Sequence, residues 1–179
     1  HYSKKMGNTF KEIISKKIEI NSKIRLNEYK SNPISVLKKS SEIILKFSSL
    51  LKRMKPNLLI VLGYKYETLI LTYCAFIYRI PIAHVHGGEK TVGSLDDTFR
   101  HQISKMSDIH FVERKIYKKR LIQLGENPKS IVVAGSLAKE TLMNKVFLKK
   151  EIIEKKFKIK FFNKNVIFTY HPEINNKID

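Results

Sequence analysis

From residue 57 onward the chain alternates short apolar runs, rich in β-branched residues, with longer amphipathic ones, and this rhythm restricts its fold more than any other feature. The runs at 58–62, 82–85, 109–112, 131–133 and 166–169 have the length and composition of strands covered on both faces. Between them, 67–78, 97–106, 114–124 and 138–143 read as helices, and Gly125 stands where a helix C-terminal glycine belongs. The order βαβαβαβαβ predicts a parallel sheet wrapped by helices.

Ahead of this block, residues 36–54 carry Leu37, Ile44, Leu45, Phe47, Leu50 and Leu51 largely at helical spacing, with Pro33 and Pro56 as brackets. Residues 8–17 read as a shorter helix and 23–32 as loop. The Lys-rich stretch 145–160 reads as a surface helix or a connection to a second domain.

A chain of 179 residues, 42% of them hydrophobic, can bury one sizeable core. Its longest apolar stretches, 58–62 and 69–80, fall short of the roughly 20 residues needed to cross a bilayer, and no export signal is visible, so a cytoplasmic setting without membrane contact is expected. Cys74, the one cysteine, lies in an apolar run and is expected to pack as a small hydrophobe. No spacing of Cys and His reads as a zinc site, and neither metal nor cofactor is expected. The net charge of +19 invites a nucleic-acid reading. The lysines are dispersed along helix faces, however, so a solvated surface is the simpler account and no nucleic-acid partner is expected.

In an open parallel sheet, chemistry gathers beyond the carboxyl ends of the strands. That rule selects 63–67, 84–97, 134–136 and 171–173, which hold half of the histidines, the paired glycines and clustered carboxylates. The richest is His84-Val85-His86-Gly87-Gly88-Glu89, followed by Ser94-Leu95-Asp96-Asp97-Thr98-Phe99-Arg100-His101. Gly87 and Gly88 would let backbone approach a ligand closely. Asp96 and Asp97 begin a helix, where they serve either as caps or as chemistry. Arg100 and His101 follow one turn later, placed to meet a phosphate, or in the case of Arg100 to pair locally with Asp96 or Asp97.

The segment 84–100 and its continuation Ile103-Ser104-Lys105-Met106-Ser107-Asp108-Ile109-His110-Phe111-Val112 resemble the hydrolysing UDP-N-acetylglucosamine 2-epimerases of bacterial sialic and nonulosonic acid biosynthesis. The similarity extends through 121–128, Val133-Ala134-Gly135-Ser136-Leu137 and Thr169-Tyr170-His171-Pro172-Glu173, and back to 55–63 and 1–5. It implies an α/β, Rossmann-like N-terminal domain at 1–145 lacking its first strand. At 146–179 it implies a connection and the start of a nucleotide-binding domain. Together these form a glycosyltransferase-B-like two-domain fold, truncated at both ends.

The chemistry implied is loss of the C2 proton with departure of UDP from C1, then addition of water with inversion at C2, without metal or redox cofactor. By the same resemblance Asp96, His171 and His1 are catalytic, and His86 serves either as a base near neutrality, the preferred reading, or to order the loop. Glu89, Arg100, Gly87, Gly88, His101, Lys65 and Ser136 lie on the substrate side. The partner implied is a nucleotide sugar, UDP-N-acetylglucosamine or a diacetamido relative, and the intact protein is expected to be a homodimer. The chain departs from the family at Gly63-Tyr64-Lys65, where Tyr64 replaces an aspartate, and His86 stands where some relatives carry Glu. A phenol can donate a hydrogen bond at neutral pH but is a poor substitute for a carboxylate. The alternatives to an epimerase are a degenerate homologue that binds without turnover, a basic nucleic-acid-binding domain, and a glycosyltransferase of similar architecture.

Overall fold

A computed structural model describes residues 10–27, 32–92 and 94–170. Its elements in chain order are α1 (Phe10–Ser15), α2 (Pro33–Met54), β1 (Leu59–Leu62), α3 (Tyr66–Ile77), β2 (Ile82–Val85), α4 (Leu95–Lys105), β3 (Ile109–Val112), α5 (Lys115–Gln123), β4 (Ile131–Val133), α6 (Leu137–Met143) and α7 (Lys150–Phe157). The four strands form one parallel sheet in the order β1-β2-β3-β4.

Sequential order has a consequence for layering. Right-handed crossovers between consecutive neighbours put their helices on one face of a sheet, and burial follows that expectation. Strand register gathers Val61, His84, His110, Val112 and Ile131 on one side, and all are buried. Ile60, Leu62 and Val132 are on the other and remain 65%, 60% and 46% exposed. The covered side is the core: Phe47 and Leu51 of α2, Cys74 and Ala75 of α3 and Ile103 of α4 close over Val61 and Ile82. Each fully buried aliphatic side chain there contributes about 2 kcal/mol. A smaller cluster, Val112, Leu121 and Ile131, seats α5.

Helix α2 starts where Asn32 accepts a hydrogen bond from the Ser35 backbone N–H and Pro33 takes the first helical position. It ends at Lys55 in the left-handed region, whose N–H reaches Leu51 O. Gly125 closes α5 at φ +87° with its N–H on Ile122 O at 2.9 Å. Cys74 is 3% exposed, and burial pushes its thiol pKa up, away from a reactive thiolate.

The expected fifth strand does not form. Residues 166–169 make no ladder, and Val166, Ile167 and Phe168 are 92%, 90% and 85% exposed. A parallel strand needs a hydrogen-bonded neighbour and cover on its faces, and no described element supplies either. No helix among the described residues is long and apolar enough to cross a membrane.

Candidate active site

The chain runs out of β1 and β2 into two turns that meet the first turn of α4. Gly63, at φ +88°, turns the chain so that Tyr64 and Lys65 face the Asp96–Arg100 turn of that helix. His86, at the end of β2, has φ +67°, a strained value for a non-glycine residue. Its N–H donates to Phe111 O at 2.9 Å, which ties the strained residue to the neighbouring strand.

From these turns a chain of polar contacts forms. His86 Nδ1 lies 2.7 Å from Glu89 Oε1, and Arg100 Nη1 donates to Glu89 Oε2 at 2.8 Å. Arg100 Nη2 donates to Thr91 Oγ1 at 3.1 Å, and the guanidinium carbon lies 4.4 Å from the centre of the Tyr64 ring. Lys65 Nζ reaches Asp96 Oδ2 at 3.4 Å and stands 5.3 Å from the same ring. Two cations and two carboxylates are thus paired around one aromatic ring, with His86 at the end of the line.

Several sequence expectations change on this geometry. The cap of α4 is Ser94, whose hydroxyl accepts from the Asp96 N–H at 3.2 Å, so Asp96 is free for Lys65. Asp97 accepts from the Thr91 N–H at 2.9 Å and ties down the loop. Arg100 pairs with Glu89 rather than with Asp96 or Asp97. Its side chain is only 2% exposed, so the guanidinium is not an open phosphate fork.

At Gly87 and Gly88 the side where a side chain would stand is turned inward. A Cβ at Gly87 would lie 3.0 Å from both His84 Nδ1 and Ser104 Oγ, and one at Gly88 would lie 2.6 Å from Tyr117 O. Both glycines exist so that α4 and α5 can pack against the turn. His101 points away from Arg100, as successive helical residues do. It stands 3.6 Å from Asp97 and lines a groove between α3 and α4 with Leu69, Ile70 and Tyr73. Ser136 caps α6 through the Lys139 N–H at 3.4 Å, beyond β4 and about 10 Å in strand spacings from β2. His1 and His171 lie outside the described residues.

The structure adds residues that motif reading passed over. His84 is fully buried, with Nδ1 3.0 Å from Ser104 Oγ and Nε2 2.9 Å from Gly63 O. A carbonyl only accepts, so Nε2 carries the proton and Nδ1 accepts from the Ser104 hydroxyl. Desolvation, with Arg100 and two further histidines nearby, lowers its pKa to about 4 against the Gly63 hydrogen bond. His84 is therefore a neutral strut between the β1 turn and α4. The available signal was the spacing Arg100 to Ser104, four residues apart on the face that also carries Ile103. His110, fully buried 3.3 Å from Glu126, also has its pKa lowered by burial. Among the described residues no group of three His, Cys, Asp or Glu is placed to hold a metal ion.

A parallel sheet whose polar turns converge beyond its strand ends defines an α/β domain with a candidate site in the place such sheets favour. The UDP-N-acetylglucosamine 2-epimerase family model matches residues 1–179, and the chain belongs to that family. It is 41% identical over 172 residues to the GDP/UDP-N,N'-diacetylbacillosamine 2-epimerase (hydrolyzing) of Campylobacter jejuni, covering 96% of this chain and 44% of that protein. It is 31% identical to the polysialic acid biosynthesis protein P7 of Escherichia coli, covering 100% of this chain and 47% of that one. The chain thus spans less than half the length of these relatives.

Among solved structures, the fold is shared with the UDP-GlcNAc 2-epimerase of Neisseria meningitidis bound to UDP-GlcNAc. The TM-score is 0.67 at 20% identity, over 84% of this chain and 39% of that one. A UDP-N-acetylglucosamine 2-epimerase structure from Listeria monocytogenes gives 0.69 at 18%, over 82% and 39%.

Proposed function

We propose that the protein to which these residues belong is a hydrolysing 2-epimerase acting on a UDP-activated N-acetylated amino sugar. The observation that carries this reading is the His86–Glu89–Arg100 line beside the Lys65–Asp96 pair, all at the strand ends where such a substrate would lie. In the reaction a base removes the proton at C2 while the C1–O bond breaks and UDP leaves with the electron pair. Water then adds across the resulting double bond, hydroxyl to C1 and proton to C2 on the opposite face, giving the free 2-epimer.

His86 and Asp96 are the acid and base groups on this reading, with Glu89 and Lys65 holding them. The roles of His1 and His171 rest on the family resemblance, as do a homodimer, a cytoplasmic setting and a division near residue 145 into sugar-facing and nucleotide-binding domains. The 41% identity to the Campylobacter jejuni protein favours a 2,4-diacetamido sugar over UDP-N-acetylglucosamine. One observation favours a second reading, a homologue that binds without turnover. Tyr64, at the position where the family resemblance places an aspartate, sets its ring 4.4 Å from the Arg100 guanidinium carbon.

The test is turnover by the protein at the full length of its relatives. Each nucleotide sugar is supplied in deuterated water and followed by proton NMR. UDP and a 2-epimer deuterated at C2 are expected, with the diacetamido substrate faster. Binding without UDP release would establish the second reading, and no binding would overturn both.

A further inference from the structure

We propose that Arg100 and Tyr64 are positioning residues: acting through Glu89, they hold His86 as its Nδ1–H tautomer, with Nε2 left free to take a proton from substrate. This rests on the reading of the site as an epimerase centre. The geometry carries it in three steps. A carboxylate only accepts, so the 2.7 Å contact from Glu89 Oε1 to His86 Nδ1 places the hydrogen on Nδ1. Among the described residues none hydrogen-bonds Nε2, and the His86 side chain is 27% exposed, so in this tautomer the Nε2 lone pair is unused.

Glu89 cannot turn away. Its other oxygen is held at 2.8 Å by Arg100, which is itself fixed by Thr91 at 3.1 Å and by the Tyr64 ring at 4.4 Å. The backbone adds a third constraint, because His86 sits at φ +67° with its N–H bonded to Phe111 O. A residue held in a strained conformation by several contacts is one whose direction matters.

His84, two residues earlier, shows the opposite design. Its Nε2 bears the proton toward Gly63 O and its Nδ1 is taken by Ser104, so both nitrogens are occupied. The same strand end therefore presents one closed imidazole and one open one. Tyr64 belongs to this arrangement as the floor under Arg100. A family carboxylate at that position would draw the guanidinium away from Glu89, whereas a ring supports it without competing for its hydrogen bonds.

The experiment uses the full-length protein with ¹⁵N-labelled histidine and compares wild type with Arg100→Lys, Tyr64→Leu and Glu89→Gln. Long-range ¹H–¹⁵N spectra report each tautomer, and the His84 Nε2–H signal reports that the fold is intact. Wild type is expected to show Nδ1–H at His86. Arg100→Lys is expected to lower that population and to reduce kcat by about ten- to hundredfold with KM little changed. Glu89→Gln is expected to lower the Nδ1–H population as well, because an amide can present N–H as readily as C=O to the ring.

If Arg100→Lys loses the His84 signal, Tyr64→Leu decides, with a smaller fall of the same kind. A rise in KM with the tautomer and kcat unchanged would make Arg100 a phosphate ligand and overturn the proposal, as would an Nε2–H tautomer in wild type. Absence of wild-type turnover would sink the epimerase reading instead, while the spectra still decide the tautomer.

Discussion

Residues 59–62 and 166–168 read alike as sequence, Leu-Ile-Val-Leu against Val-Ile-Phe, yet Val61 is 5% exposed and Val166 is 92% exposed. The first run has β2 on one flank and α2 and α3 over one face; the second has no neighbour among the described elements. The difference teaches that an apolar run states a capacity for burial. Whether the capacity is used depends on a ladder and a covering layer that lie elsewhere in the chain.

Three measurements on the 179-residue chain can break or sharpen this contrast. Gly88→Ala is expected to have the largest effect, a loss of at least about 3 kcal/mol in urea unfolding, because the new Cβ would meet the Tyr117 carbonyl at a backbone φ of +72°. A change within about 0.5 kcal/mol would mean that the packed block is looser than its contacts imply.

Acidification comes second. His84 has its folded pKa depressed to about 4 from an unfolded 6.5, so between those values the unfolded chain takes up a proton that the folded chain refuses. Stability therefore falls as pH drops from 7 toward 4, by about 3 kcal/mol from this group, and His110 is shifted in the same direction. A urea midpoint that stayed flat across that window would show that His84 is not buried and neutral. Phe168→Ser should do least, within about 0.5 kcal/mol, as expected for an exposed side chain. A larger loss would mean that 166–169 is packed after all and that the contrast is false.

Much of the fold was legible in the chain because its signals are local. The runs that became β1 to β4 and the helices between them declare themselves within a dozen residues, and Gly125 marked its helix end correctly. What stayed hidden depends on contacts between distant residues. Nothing near Gly88 announces Tyr117, nothing near Arg100 announces Tyr64, and a histidine in an apolar run does not say which ring nitrogen will meet a carbonyl. The candidate site was legible as a neighbourhood, since Lys65, His86, Glu89, Asp96 and Arg100 do converge. Which of them meet one another, and that Arg100 would be shut away behind Glu89, required the third dimension.

Glu89 uses one oxygen for His86 and the other for Arg100, and this sets how the site can change over evolutionary time. Losing Arg100 alone strands a half-buried carboxylate; losing Glu89 alone strands a buried guanidinium; replacing His86 by an acid sets two carboxylates side by side. Single steps from this arrangement are each costly, so viable departures should come as linked sets of substitutions at 64, 86, 89 and 100. Those four positions would then behave as one inherited unit.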